Sequence, residues 1–359
     1  MSRLFILVAI LWACSSPPPT QERAVEVVHT LNSNIREDRA DLGLGFDKLS
    51  EYGFFQQPLN RLIPTERVVP YELNTPLFSD YAHKARFISF PESAAQYDAK
   101  EVLDFPEGTT LIKNFYYPED FRQQDQRHRL LETRLLIKEA REWKALSYIW
   151  NDEQTEAFLE IAGGSVDVQW VHSDGELRNI QYSIPNLNQC KNCHSYDNKI
   201  RPIGPSVRQL NRTHPGHGQN QLDYLSELGY LSGLPPADER AKLALWVPGA
   251  RDHLEDRARA YLDVNCGSCH RPEGSGNTSG LFLHAHQPVN STYGLGKAPI
   301  AAGRGSGGFK FDISPGKPEE SILVFRMKSL DPGIMMPEMG RKMVHEEGVA
   351  LIEDWIRSL

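Results

Sequence analysis

Residues 186–198, NLNQCKNCHSYDN, set two cysteines three apart with a histidine directly after the second: Cys190, Cys193 and His194. Residues 264–274, VNCGSCHRPEG, repeat the device with Cys266, Cys269 and His270. The chain of 359 residues has five cysteines, and the fifth, Cys14, ends an apolar leader. No cysteine is left over for an ordinary disulfide framework.

A Cys-x-x-Cys pair alone suits a zinc knuckle or a redox dithiol. A histidine directly after the second cysteine is instead the c-type haem attachment pattern. Each thiol adds to one haem vinyl group, and the adjacent imidazole reaches the iron from the proximal side. A single zinc site built from all four motif cysteines is the competing reading. Zinc ribbons, however, separate their pairs by roughly 15–20 residues, far less than the gap from Cys193 to Cys266. A thioredoxin-like dithiol would need a βαβ context. The expectation is two covalently bound haem c groups per chain, anchored at Cys190, Cys193, Cys266 and Cys269. His194 and His270 are then the proximal iron ligands.

The leader, MSRLFILVAILWAC, has a basic start at Arg3 and an apolar run from Leu4 to Ala13. That run is too short for a bilayer span and suits a signal peptide, 1–13. LWAC resembles a bacterial lipoprotein cleavage site with Cys14 as the lipidated residue. Trp12 departs from that motif, and ordinary secretory cleavage is the alternative. Residues 14–45, opening CSSPPPT, read as a tether and a short helical segment. The chain is thus expected to be exported and membrane-anchored through Cys14, as a periplasm-facing or outer-membrane lipoprotein of a Gram-negative-type bacterium. A net charge of −8 argues against nucleic acid as a partner; ordinary solubility accounts for it, and a cationic redox protein as partner is the alternative.

Residues 46–185 alternate with period two. Leu146, Tyr148 and Trp150 share a face. So do Val166, Val168 and Trp170, and then Ile180, Tyr182 and Ile184 across a turn at Asp174-Gly175. This predicts an antiparallel β-rich domain with one wet face. Residues 186–250 read as the first c-type haem segment. In it Gly204-Pro205 is either a carbonyl acceptor for His194 Nδ1–H or a simple turn.

Residues 251–359 read as an all-α cytochrome c domain holding the second haem. Ala258, Tyr261, Leu262 and Asn265 lead into the motif at helical spacing. Val349, Ile352, Trp355, Ile356 and Leu359 form the apolar face of a closing helix. The fold class is therefore α+β and multidomain. Met336, directly before Pro337, is the expected distal ligand of haem 2, with Met335 and Met339 as alternatives and core packing as the bland role.

Apart from Met1, every methionine lies at or beyond Met327. Haem 1 therefore has none in its own segment. His217 and His214 are its candidate distal ligands; an upstream His83 or His172, or water, is the alternative. A second imidazole would set haem 1 lower in potential than haem 2. His284 and His286 read as a solvated strand edge or a metal pair. GRGSGGF (303–309) reads as a flexible loop, lacking the ending of a phosphate loop.

YELNTPLFSDYAHKARF, LLETRLL, YIWNDEQTEA, IPNLNQCKNCH, RPIGPSVRQLN and MMPEMGRKMVHEEGVALIEDWI together resemble a family of exported bacterial two-haem c-type cytochromes with an N-terminal β-rich domain. The resemblance covers roughly residues 45–359 and implies haem binding and electron transfer. An electron carrier is the leading reading, with no catalytic residue assigned. The alternatives are a haem enzyme of peroxidase or oxidase type, with haem 1 as an open catalytic site, and a β-domain binding module served by the haems.

Overall fold

The computed structural model describes residues 45–123, 128–247, 249–300 and 302–359. The leader, Cys14 and residues 14–44 lie outside them. Residues 48–359 form one unit.

Its centre is a six-stranded antiparallel sheet: β1 (Val68–Pro70), β2 (His83–Ser89), β4 (Thr110–Pro118), β5 (His128–Glu139), β6 (Glu142–Trp150) and β7 (Ala157–Leu159), in that spatial order. A short β3 (Ala95–Gln96) stands apart and pairs in parallel with β12 (Leu231–Ser232). β8 (Gly164–Val171) and β9 (Leu177–Ile184) form a separate hairpin. The β-branched and aromatic residues of these strands suit a pleated, packed surface.

One sheet face, with Phe87, Ile112, Leu135, Leu146 and Tyr148, packs on Leu49, Phe54, Phe55 and Leu59. The opposite face meets two apolar clusters. Ile88 and Leu111 pack against Val207, Leu210, Leu222 and Leu225. Phe115 and Tyr117 pack against Trp170, Ile180 and Tyr182 of the hairpin. A bulge between Phe115 and Tyr116 interrupts the β4–β5 register between those ends; bulges sharpen twist and re-aim side chains.

Six helices follow in the described chain: α1 (Leu187–His194), α2 (Val207–Leu210), α3 (Gln221–Glu227), α4 (Leu254–Asn265), α5 (Ile322–Lys328) and α6 (Glu346–Ser358). α4 and α6 pack together, as their apolar stripes imply. Tyr261, Leu262, Ile352 and Trp355 lie in one core, while Leu359 is exposed.

The expected α+β multidomain class with a C-terminal all-α domain is nevertheless overturned. The molecule is β-rich and about 24 % helical, with no clear all-α cytochrome domain at its C-terminus. Among the described residues, 251–359 hold only α4, α5 and α6, of 12, 7 and 13 residues. Between them the chain runs through short 3-10 turns at Asn277–Ser279, Ser291–Tyr293, Gly303–Ser306 and Pro318–Glu320. The cause is composition. Segments such as SPGKP (314–318) and DPG (331–333) combine proline, which lacks an amide donor, with glycine, which loses most backbone entropy in a helix. Two good helical stripes at the ends did not reveal the irregular chain between them. No helix among the described residues is long and apolar enough to cross a membrane.

Candidate functional site

α1 carries Cys190, Cys193 and His194 at i, i+3 and i+4, on one side of the helix. A capping box starts it. Asn186 Oδ1 accepts from Gln189 N, and Gln189 Oε1 accepts from Asn186 N, both at 2.9 Å. The helix ends in a two-strand turn, β10 (Ser195–Tyr196) and β11 (Lys199–Ile200). Asp197 and Asn198, both at positive φ, form its corner, as tight hairpin turns demand.

The hairpin returns Arg201 to the histidine: Arg201 N donates to His194 O, and His194 Nδ1 lies 2.8 Å from Arg201 O. A carbonyl can only accept, so Nδ1 carries the proton and Nε2 keeps its lone pair. The acceptor is thus Arg201, not Gly204-Pro205. Gly204 O accepts from Ser206 N and Pro205 O from Leu103 N. Burial pushes His194 down to about 4, and Lys113 and Arg134 add to the effect against the Arg201 bond. The imidazole is neutral at pH 7.

The second motif follows α4 directly. Cys269 N and His270 N both donate to Cys266 O, at 3.1 and 2.9 Å. Ser279 Oγ donates to Gly276 O at 2.6 Å and lies 3.2 Å from His270 Nδ1. With its proton so engaged, the hydroxyl accepts from Nδ1–H, and His270 too keeps Nε2 as a free donor atom. Burial lowers the His270 pKa, with Arg326 adding to the shift.

All four motif cysteines are free and partly buried. Burial pushes Cys190 up, and Cys266 up to about 12. The two motifs meet. The Cys193 and Cys269 side chains lie close enough to interact, which raises Cys193 and lowers Cys269. Cys269 Sγ lies 3.7 Å from Asn192 O, which also accepts from Ser275 Oγ at 3.1 Å. Arg271, the residue after His270, clamps the junction. Its guanidinium lies 4.5 Å from the centre of the Tyr196 ring and pairs with Glu101 at 2.7 Å and Glu273 at 2.9 Å. The cleft between the motifs is lined by Cys193 and His194 on one side and Gly267, Ser268 and Arg271 on the other. Among the described residues no group of three or more His, Cys, Asp or Glu converges as a metal cage would require.

The other candidates are dispersed. Met336 N donates to Arg326 O and Met336 O accepts from Arg341 Nη2. Met335 is buried. Met339 Sδ accepts from Asn192 Nδ2 at 3.5 Å, so it touches the first motif. Met343 packs with the hairpin cluster. His214 and His217 stack on each other at 4.5 Å, and His217 stacks on Tyr224 at 3.9 Å. His83 packs on Phe121, and His172 accepts from Trp170 Nε1. His284 is buried beside Asp263 at 3.5 Å, not solvated, while His286 stacks on it from an exposed position. The 303–309 segment is no free loop; Gly305 and Gly307 lie against Arg326 and Phe325 of α5.

Sequence reasoning missed two features. One is His345, buried on Phe78 and bonded to Tyr261 OH at 3.0 Å. The other is a set of cations inside the sheet: Lys84, Arg86, Lys113 and Arg134. Its signal was present, since AHKARF puts cations at alternate positions of an otherwise apolar strand. No protein-family model, curated protein or solved structure matches this chain.

Proposed function

We propose that the chain is an exported electron-transfer protein carrying two covalently attached c-type haems, anchored to the membrane through Cys14. The observation that carries this reading is the junction of the motifs. Two Cys-x-x-Cys-His units far apart in sequence fold so that Cys193 adjoins Cys269, and each motif histidine is held through Nδ1 with Nε2 unspent.

The donor set fits haem. Cys190 and Cys193, and Cys266 and Cys269, would supply two thiols per group, and neutral His194 and His270 would supply nitrogen ligands to its iron. The Arg201 carbonyl and the Ser279 hydroxyl fix the two rings and raise their basicity, as outer partners of metal-bound histidines do. A bound haem supplies one-electron redox chemistry. The chain's own part would be to hold two attachment sulfurs side by side and to clamp the junction with Arg271. Met336 remains the proposed distal ligand of the second group.

The reading is tested by a reduced pyridine haemochrome on purified protein with iron counted per chain. Two c-type haems are expected, and any other count sinks it.

The same contact favours a second reading, in which Cys193 and Cys269 form a redox dithiol. A wild-type chain without haem but with a reversible Cys193–Cys269 disulfide in mass spectra would establish that reading instead.

A further inference from the structure

The middle of the sheet face that meets α1 holds an arrangement that the two motifs do not explain. Arg86 pairs directly with Lys113, and Lys113 with Arg134, across the adjacent strands β2, β4 and β5. Lys84, two residues from Arg86, shares their face and pairs with Phe115. Like charges directly opposite one another are destabilising even on an exposed sheet, and here they lie between two apolar clusters.

The one carboxylate paired with this group is Glu132. It is fully buried and already committed to Arg134 through both oxygens, to Tyr182 OH at 2.7 Å and to Ser147 Oγ at 3.3 Å. Lys84 Nζ reaches only the Leu77 carbonyl, and Arg86 only the Lys84 carbonyl at 3.5 Å. Among the described residues the Lys113 side chain makes no hydrogen bond or ion pair. Glu72 and Asp80 lie within electrostatic range of Arg86 and Lys84 but form no ion pair with them, and Asp80 Oδ1 is taken by two backbone amides. The Phe115 ring offers partial compensation, with Arg134, Lys113 and Lys84 at 4.3, 4.8 and 5.9 Å from its centre. Four basic side chains therefore face one spent carboxylate, and burial pushes Lys113 down to about 7 and Lys84 well below its ordinary value, so the lysines hold their charge best with an anion beside them.

β4 is an interior strand and α1 and β11 pack on β6. Yet Lys84 and Lys113 keep part of their surface open, and the Arg134 side chain keeps 31 %. The group lies near the first motif, whose His194 feels Lys113 and Arg134 and whose Cys190 and Cys193 feel Arg134.

We infer that Arg86, Lys113 and Arg134, with Lys84, are the binding site for the two carboxylates of the tetrapyrrole attached at Cys190 and Cys193. The inference rests on the haem reading above. Ionised side chains of this kind form short, charge-assisted bonds to carboxylates, and two carboxylates would offset most of the uncompensated charge. The cations also favour the reduced, less positive iron. They therefore oppose the low potential expected for haem 1 from its want of a local methionine.

The test uses the full-length haem-loaded protein and Lys113→Gln. With two haems per chain retained, the midpoint of one haem should fall by about 59 mV, a tenfold change for a one-electron couple, while the other stays. Lys113→Arg should restore it. Wild-type potentials should not respond to added phosphate or acetate. Unmoved potentials in fully loaded Lys113→Gln overturn the inference and leave the haem reading intact. A wild-type potential that shifts with phosphate, lost in the variant, also overturns it, by assigning the basic group to a mobile oxyanion. Should the variant not fold, redox-difference infrared spectra of wild type with 13C-labelled haem carboxylates decide. Bands at the frequency of water-exposed carboxylates for both haems would sink the proposal. A wild-type chain without haem sinks both readings at once.

Discussion

At the scale of single residues, the motif histidines show what a short pattern can and cannot reveal. Cys-x-x-Cys-His announces an imidazole, but the group that orients it is set by how the chain turns back. Gly204-Pro205 was a fair reading of His194's acceptor. The Asp197-Asn198 corner instead closes three residues early and delivers Arg201. For His270 the acceptor is a hydroxyl, which can be removed. We predict that Ser279→Ala raises the midpoint of one haem by less than ~59 mV, because the imidazole loses its basicity-raising partner. A redox titration that shows a fall, or movement of both haems, would refute this.

Asp263 offers a second test. Burial alone would raise its pKa, but Arg208 at 3.0 Å and His284 outweigh it and hold the carboxyl at about 2. A folded-state pKa below the unfolded value gives stability that is present above about pH 4 and lost as pH falls toward 2. The contribution is on the order of 2 kcal/mol. Urea unfolding across that window should show the decline, and Asp263→Asn should be less stable at pH 7 and flatter below pH 4.

Among the elements, periodicity was readable wherever one face is buried. The hairpin of β8 and β9 pairs Val168 with Ile180 and Val166 with Tyr182, as the alternation implies. α6 buries Val349, Ile352, Trp355 and Ile356. The cations of β2, β4 and β5 were not legible as a group, because only the strand register brings Arg86, Lys113 and Arg134 side by side. Nor could spacing show how closely α4 and α6 approach. A Cβ built at Gly348 would lie 2.4 Å from Tyr261 Cζ, so the crossing depends on a missing side chain. Gly348→Ala should therefore destabilise the protein by roughly 1–3 kcal/mol through overpacking, although alanine is the better helix former. A thermal melt equal to or above wild type would show that the helices can separate without loss.

At the scale of the whole molecule, the order of the segments was readable but their dependence on one another was not. Residues 207–232 cover the sheet: Val207, Leu210 and Leu222 share a core with Ile88 and Leu111, and β12 pairs with β3. Long-range contacts of this kind leave no local trace in sequence. It follows that the β-rich region has lost its cover when cut off after residue 185. That fragment should aggregate or stay unfolded, and a soluble fragment with a cooperative melt would contradict this.

On the two-haem proposal, the proximity of Cys193 and Cys269 also bears on the order of events during maturation. The two thiols are distant in the chain and meet only once both motifs have docked. A polypeptide that docked them before modification, in the oxidising compartment that proposal implies, would hold a dithiol poised to close into a disulfide and shut out the later chemistry. The proposal therefore requires loading to precede docking. We predict that the unmodified fraction from an expression host deficient in haem attachment carries a Cys193–Cys269 cross-link with Cys190 and Cys266 still alkylatable. Peptide mapping that finds all four thiols equally reactive would remove this constraint.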